Sequence, residues 1–286
     1  MIYSHKIKVA FLAGILACFS VSARAQDFYG KIGGGYSIGI GGNIRYSAVR
    51  TVYTDQSNSS SITEEPVNFN YGKGTAVGAT LGYNLREHLA LELGLNYLLG
   101  GKNEVSNGEI IYDPSAKEYP EPRYNLVTTQ THARMFLFQP ALVVQGTSDY
   151  LNPYARFGVM FSNGKILETY RERKAQDLIQ KTELSGGIGF GFQGAMGASL
   201  KLSENLNLFM ELTFSNFHYA PKEGEITSRT LDGQNNMFML SREEINFKFV
   251  DKPRYGTTNM PFTDPYLKKD YTFSNAGLHI GLKYNF

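Results

Sequence analysis

The chain has 286 residues and a formal net charge of +2, so the overall charge implies neither a nucleic acid nor a strongly acidic or basic partner. Its one cysteine excludes a disulfide framework and a metal site built on several cysteines. Glycine at 30 residues, Tyr and Phe at 19 each and no Trp suit the strands of a curved sheet, where glycine relieves crowding and rings cover the surface.

Residues 1–25 read as an export signal. His5, Lys6 and Lys8 give a basic start, and the apolar run from Val9 to Phe19 is too short to cross a membrane as a helix. Ala23 and Ala25 put small residues at the two positions a signal peptidase inspects, which predicts Gln26 as the new amino terminus. Ile15-Leu16-Ala17-Cys18 loosely matches a lipoprotein signal, the competing reading, but Leu16 is bulky for it. Cleavage after Ala25 leaves a mature chain with no cysteine.

The mature chain alternates by twos, the period of a strand with one oily and one polar face. The first predicted strand, Phe28 to Ile40, puts Ile32, Tyr36 and Ile38 opposite Lys31, Gly33 and Ser37. Residues 41–71 are polar and lack a sustained period. The second strand, about 72–85, sets Val77, Leu81 and Leu85 against Gly78 and Thr80. The third sets Leu89, Leu91, Leu93, Leu95, Tyr97 and Leu99 against Glu92 and Asn96. A helix would scatter those leucines around its whole circumference. Residues 101–131 contain Pro114, Pro120 and Pro122 and are expected not to form a regular strand.

The fourth strand, about 132–145, is blurred by Met135, Leu137 and Val143 and interrupted by Pro140. The fifth, about 151–162, alternates Ala155, Phe157 and Phe161 with Tyr154 and Arg156. Residues 163–183 read as a charged connection, partly helical near 172–181. The sixth strand, about 184–202, sets Ile188, Phe190, Phe192 and Met196 against Gln193 and its glycines. The seventh, 206–219, sets Leu208, Met210, Leu212 and Phe214 against Asn207 and Glu211. Residues 220–271 form the longest connection, with strand-like patches at 237–240 and 244–250 that could raise the strand count from eight to ten. The last strand, 273–286, carries Ala276, Leu278, Ile280, Leu282, Tyr284 and Phe286 on one face and His279 and Lys283 on the other.

Eight amphipathic strands are thus joined alternately by long and short connections, behind an export signal. In outer-membrane barrels the periplasmic turns are short, the extracellular loops long and the strand count even. Backbone polar groups in lipid must be paired internally, so strands of this kind must close into a cylinder. Over about residues 27 to 286 the chain resembles the small eight-stranded outer-membrane barrels of Gram-negative bacteria, similar to the membrane domain of the outer-membrane protein A family. The expected fold class is all-β: a closed, antiparallel, up-and-down transmembrane β-barrel filling residues 26–286. The resemblance implies that Leu282, Tyr284 and Phe286 form the terminal signal read by the barrel-assembly machinery. No peptidoglycan-binding domain is expected after the barrel, so the cell-wall anchoring role of the longer relatives is not expected either.

An eight-stranded barrel is only wide enough for its own side chains. The polar faces deliver Lys31, Glu92, Arg156, Gln193, Glu211, His279 and Lys283 to the bore. Unpaired charge there is costly, so an ion-pair network is expected, with Glu211 near Lys283 and Glu92 near Arg156. Tyr83, Tyr97, Phe161, Phe214, Tyr284 and Phe286 are expected to form interfacial girdles.

Other chemistry finds little support. Gly189-Phe-Gly-Phe-Gln-Gly194 satisfies GxGxxG but lies within a strand instead of opening a helix. His218, with Ser215 or Ser274, is the one candidate base–nucleophile pairing, and its spacing carries no signal beyond chance. The five His are scattered, and the acidic residues Glu64, Glu65, Asp113, Glu118 and Glu121 read as solvated loop charge in preference to a Ca²⁺ site. The expectation is a non-enzymatic barrel without catalytic residues, metal or cofactor. Its partners are outer-membrane lipid and an extracellular ligand that the sequence leaves unknown; Arg171, Arg173, Lys174, Lys252, Arg254, Lys268 and Lys269 read either as contacts to lipopolysaccharide phosphates or as ordinary solvated loop charge. A narrow porin-like channel is the alternative; a lipid-modifying or proteolytic enzyme is the third reading.

Overall fold

The computed structural model describes residues 27–53, 59–112, 123–148, 150–251 and 266–286. The predicted export signal, including Ala23, Ala25 and Gln26, lies outside these residues. Asp113, Pro114, Glu118, Pro120, Glu121, Pro122, Lys252 and Arg254 lie outside them too.

Strands dominate. In order they are β1 (Phe28–Gly39), β2 (Asn43–Tyr53), β3 (Ser60–Phe69), β4 (Gly74–Arg86), β5 (Leu89–Gly100), β6 (Asn103–Tyr112), β7 (Arg123–Gln145), β8 (Leu151–Arg173) and β9 (Asp177–Ser185). There follow β10 (Gly189–Lys201), β11 (Leu206–Tyr219), β12 (Glu223–Leu231), β13 (Gln234–Asn235), β14 (Asn246–Val250), β15 (Tyr266–Leu267), β16 (Tyr271–Thr272) and β17 (Asn275–Asn285).

The antiparallel pairings run β1–β4, β4–β5, β5–β7, β7–β8, β8–β10, β10–β11, β11–β17 and β17–β1, returning to the start as a ring of eight. The seam between first and last strands is continuous from Tyr29↔Asn285 to Gly39↔Asn275. Closure removes the free edges that lipid could not hydrogen-bond. The ten-strand reading fails. Met237–Met239 is a 3₁₀ turn, Arg242–Ile245 is one helical turn capped by Ser241 and Glu244, and β14 pairs with β12 outside the ring.

The alternation read from the sequence places its oily face outward. Ile32, Leu95, Phe157 and Ile280 are 63%, 64%, 76% and 47% exposed, while Lys31, Glu92, Arg156 and Glu211 face inward and are buried. An apolar surface of this extent around the cylinder requires lipid. Rings edge the band at both ends. Phe28 meets Tyr83 at 4.9 Å and Tyr284 meets Phe286 at 5.5 Å on the side of the short turns; Tyr97 meets Phe136 at 4.7 Å and Phe161 meets Phe190 at 5.4 Å on the other.

The long connections differ from expectation. Residues 41–71 and 101–131 are largely strand: β2 pairs antiparallel with β3 and parallel with β6, and β6 pairs with β7. Neighbouring strands supply the ladder that these polar residues cannot announce by hydrophobic period. The predicted partial helix near 172–181 is instead a hairpin, with β8 running to Arg173 and β9 starting at Asp177. Arg171 clamps its tip by donating from Nε and Nη2 to Asp177 at 2.9 and 2.6 Å. The sixth predicted strand is broken, because Gly186 takes φ +84 between β9 and β10. Pro140 fits because the β7–β8 ladder omits Gln139 and Pro140 and resumes at Ala141↔Gly158 in the same register.

Candidate functional site: the filled bore

Across the lower half of the bore, four charged side chains from four strands meet. Lys31 Nζ lies 2.5 Å from Glu92 Oε1, Arg156 Nη1 lies 3.5 Å from Glu92 Oε2, and Arg156 Nη2 lies 2.9 Å from Glu211 Oε1. The two carboxylate side chains are 0% and 5% exposed. Two tyrosines complete the layer: Tyr29 Oη donates to Glu92 at 2.8 Å and Tyr154 Oη donates to Glu211 at 2.9 Å. Each carboxylate thus receives a cation and a hydroxyl, the condition under which buried charge is tolerated.

The registers explain the meeting. Glu92 stands across from Ala141 on β7 and Arg156 across from Val143, so the two are separated by one strand whose inward residue level with Glu92 is small. Glycine makes the space: a Cβ on Gly82 would lie 2.1 Å from the Tyr29 ring, and one on Gly281 would lie 2.7 Å from the Phe209 ring. Tyr29 shares its face with Lys31 by simple parity. Sequence reasoning missed it because a tyrosine beside the barrel entrance reads as a girdle ring.

Glu211 and Lys283 do not pair as expected. Glu211 stands across from His279, and Lys283 from Asn207 on one side and Lys31 on the other. With a like charge as neighbour, Lys283 lies over the Tyr29 ring, 3.9 Å from its centroid. Gln193 is buried beside the layer and, among the described residues, its Nε2 has no partner. Gln193 and His279 border a cavity of about 60 Å³ within the bore, while Ser199, Asn207 and Lys283 line a wider one of about 650 Å³ on the side of the short turns. The smaller of the two holds a few waters and no larger solute.

The upper half is closed differently. Met135, Leu137, Met160, Ile166, Phe217 and Phe273 form a buried apolar cluster, with Phe217 and Phe273 stacked at 4.6 Å. Tyr219 Oη ties the cluster to the wall by donating to the Gly164 carbonyl at 2.7 Å. The residues that blurred the fourth predicted strand, Met135, Leu137 and Val143, all face inward. An inward face was expected to be polar throughout; above the ion-pair layer it is oily.

The remaining candidates are dispersed. His218 faces outward, whereas Ser215 lines the interior cavity. Ser274 Oγ donates to Asn216 at 3.0 Å, and no hydrogen bond joins His218 to either serine among the described residues. Gly189 to Gly194 lie in β10, a strand without a helix after it. Glu64 and Glu65 sit exposed on β3. Of the loop cations, Arg171 is held by Asp177, Lys174 by Glu172, and Lys268 by Asp251 at 3.4 Å; Arg173 lies over the Tyr124 ring. Lys269 joins Arg45, Glu168, Tyr71 and Tyr271 around an outer cavity of about 380 Å³. Burial pushes the Glu168 carboxyl above the usual carboxylate range, against the opposing pull of Lys269 and Arg45.

The model of a family described as "Outer membrane protein beta-barrel domain" matches residues 10–286. The chain belongs to that family. It is all-β and an outer-membrane barrel, and bacterial outer membrane is its location. Among solved structures it is similar to the outer membrane protein OprG from Pseudomonas aeruginosa, at 12% identity and a TM-score of 0.39, covering 92% of this chain and 97% of that one. No curated protein matches the sequence. The terminal Leu282, Tyr284 and Phe286 of the barrel point outward, 39%, 46% and 57% exposed, with the Phe286 amide bonded to the Phe28 carbonyl at the seam.

Proposed function

We propose that this barrel is a non-enzymatic scaffold of the outer membrane that displays hairpins on the cell surface, with a bore that is plugged instead of conducting. The observation that carries the reading is the double filling of the bore, an ion-pair layer of Lys31, Glu92, Arg156 and Glu211 beneath an apolar cluster around Met135 and Phe217. A pore for solutes needs a continuous wet path, and an ion-paired charge layer under an oily one opposes it. The strands that continue above the ring, β2, β3, β6, β9 and β12, form a large exposed sheet suited to contact with an extracellular partner. In this reading the export signal of residues 1–25 delivers the chain, and Leu282, Tyr284 and Phe286 engage the barrel-assembly machinery.

The reading is tested by protease shaving of intact cells that express the barrel. Cleavage within the hairpins above the ring, with β1 and β17 protected, is the expected pattern. Hairpins that resist protease on intact cells and yield only after lysis would refute surface display. A narrow channel is the alternative, and swelling of proteoliposomes in small sugars would favour it.

A further inference from the structure

The outer wall of the barrel carries a group of cations that neither the bore nor the loop tips explain. Arg134 on β7 stands directly across from Lys165 on β8 in the ladder, so their chains leave the wall about 5 Å apart. His132 lies two residues along the same outward face. Lys102 is beside it, because Asn103 stands across from Thr131 in the β6–β7 ladder. Arg134, Lys102 and Lys165 are exposed.

Their height on the wall is informative. Phe136, 65% exposed and 4.7 Å from Tyr97, belongs to the upper aromatic belt. Arg134 is two residues above it, a rise of about 7 Å. The head-group layer of a leaflet is about 5–7 Å deep. The cations therefore sit where head groups lie, above rings that meet the acyl chains. Of the nearby carboxylates, Glu183 neutralises Lys165 at 2.5 Å and Glu104 accepts from the Gln130 amide at 2.7 Å, which leaves Lys102 and Arg134 as the uncompensated cations. Among the described residues no carboxylate lies within ion-pair distance of Lys102 or Arg134. The loop cations singled out from the sequence are a poorer match, since Arg171, Lys174 and Lys268 already have carboxylate partners.

We infer that Lys102 and Arg134, beside His132, form a binding site on the lipid-facing wall for the phosphate groups of a phosphorylated outer-leaflet glycolipid. The inference rests on the barrel spanning the membrane with β2, β3 and β6 outward. Arg134 supplies a planar fork that matches phosphate geometry, and Lys102 supplies a point charge beside it. The aromatic belt beneath supports the lipid chains, so site and membrane act on one molecule.

The test is native mass spectrometry of the purified full-length barrel in detergent, titrated with diphosphorylated lipid A or with the same glycolipid stripped of phosphate. The wild type should retain the phosphorylated form preferentially. Lys102→Gln and Arg134→Gln together should weaken retention by about tenfold or more, Arg134→Lys should keep much of it, and Lys222→Gln with Arg242→Gln should leave it unchanged. Equal retention of both glycolipids by the wild type, or wild-type affinity in the Lys102→Gln/Arg134→Gln variant, would overturn the site. The barrel reading is checked separately by heat-modifiable migration of each variant, so its failure is distinguishable from failure of the site.

Discussion

Replacing Arg156 by methionine puts the ion-pair layer to the sharpest test. Among the described residues the guanidinium is the only charged link between the two carboxylates, at 3.5 Å from Glu92 and 2.9 Å from Glu211. After Arg156→Met, Glu92 keeps Lys31 at 2.5 Å and the Tyr29 hydroxyl. Glu211 keeps only the Tyr154 hydroxyl and a position across from His279. Breaking a buried pair by removing one partner costs about 3–5 kcal/mol, because the other charge stays buried without compensation. Most of that cost falls on Glu211, since Glu92 is still neutralised. The variant should therefore unfold at markedly lower denaturant concentration in lipid vesicles, with an unchanged slope. Arg156→Met with Glu211→Gln removes the stranded charge and should recover at least half of the loss. A single variant within about 0.5 kcal/mol of wild type, the range of surface substitutions, would refute the reasoning. So would a double variant no more stable than the single one.

Three smaller perturbations follow from the same geometry. Tyr29→Phe deletes the 2.8 Å donor to Glu92 and should cost about 1–3 kcal/mol in the same unfolding assay, with the barrel still heat-modifiable on gels. Leu95→Arg places a charge on the lipid face of β5 and should cost about 2–4 kcal/mol in lipid, and much less for the same change at the exposed hairpin residue Ile62. Glu168 has its folded-state pKa raised by burial, so its contribution to stability is fully present below the unfolded carboxylate value and is lost as pH rises through the folded value. Hydrogen-exchange protection around β8 and β16, corrected for the intrinsic pH dependence of exchange, should therefore be greater in mildly acidic than in neutral solution, and Glu168→Gln should flatten that dependence.

The wall of the barrel was legible in the sequence because lipid and lumen impose opposite demands on alternate residues. Leu91, Leu93 and Leu95 against Glu92 can have only one register when one face meets hydrocarbon. Lys31, Glu92, Arg156 and Glu211 were readable as inward for the same reason. Which cation serves which carboxylate was not, because it depends on stagger between strands: Glu211 is four residues from Lys283 along the β11–β17 ladder. The upper lumen was illegible for a related reason. Met135 and Leu137 blur an alternation when both faces are apolar, and only closure shows that one set fills the bore. The hairpins above the ring went unread because water on their outer face allows Ser, Thr and Glu in strands whose order comes from neighbours such as β2 with β6. Arg134 and Lys165 are 31 positions apart, and only the β7–β8 register brings them side by side.

The central claim is that two stacked layers seal the bore. Planar-bilayer recording of the purified wild-type barrel addresses it most directly, with Arg156→Ala alongside. The account predicts no large, steady conductance from the wild type. A stable, large wild-type conductance across many independent insertions would contradict it.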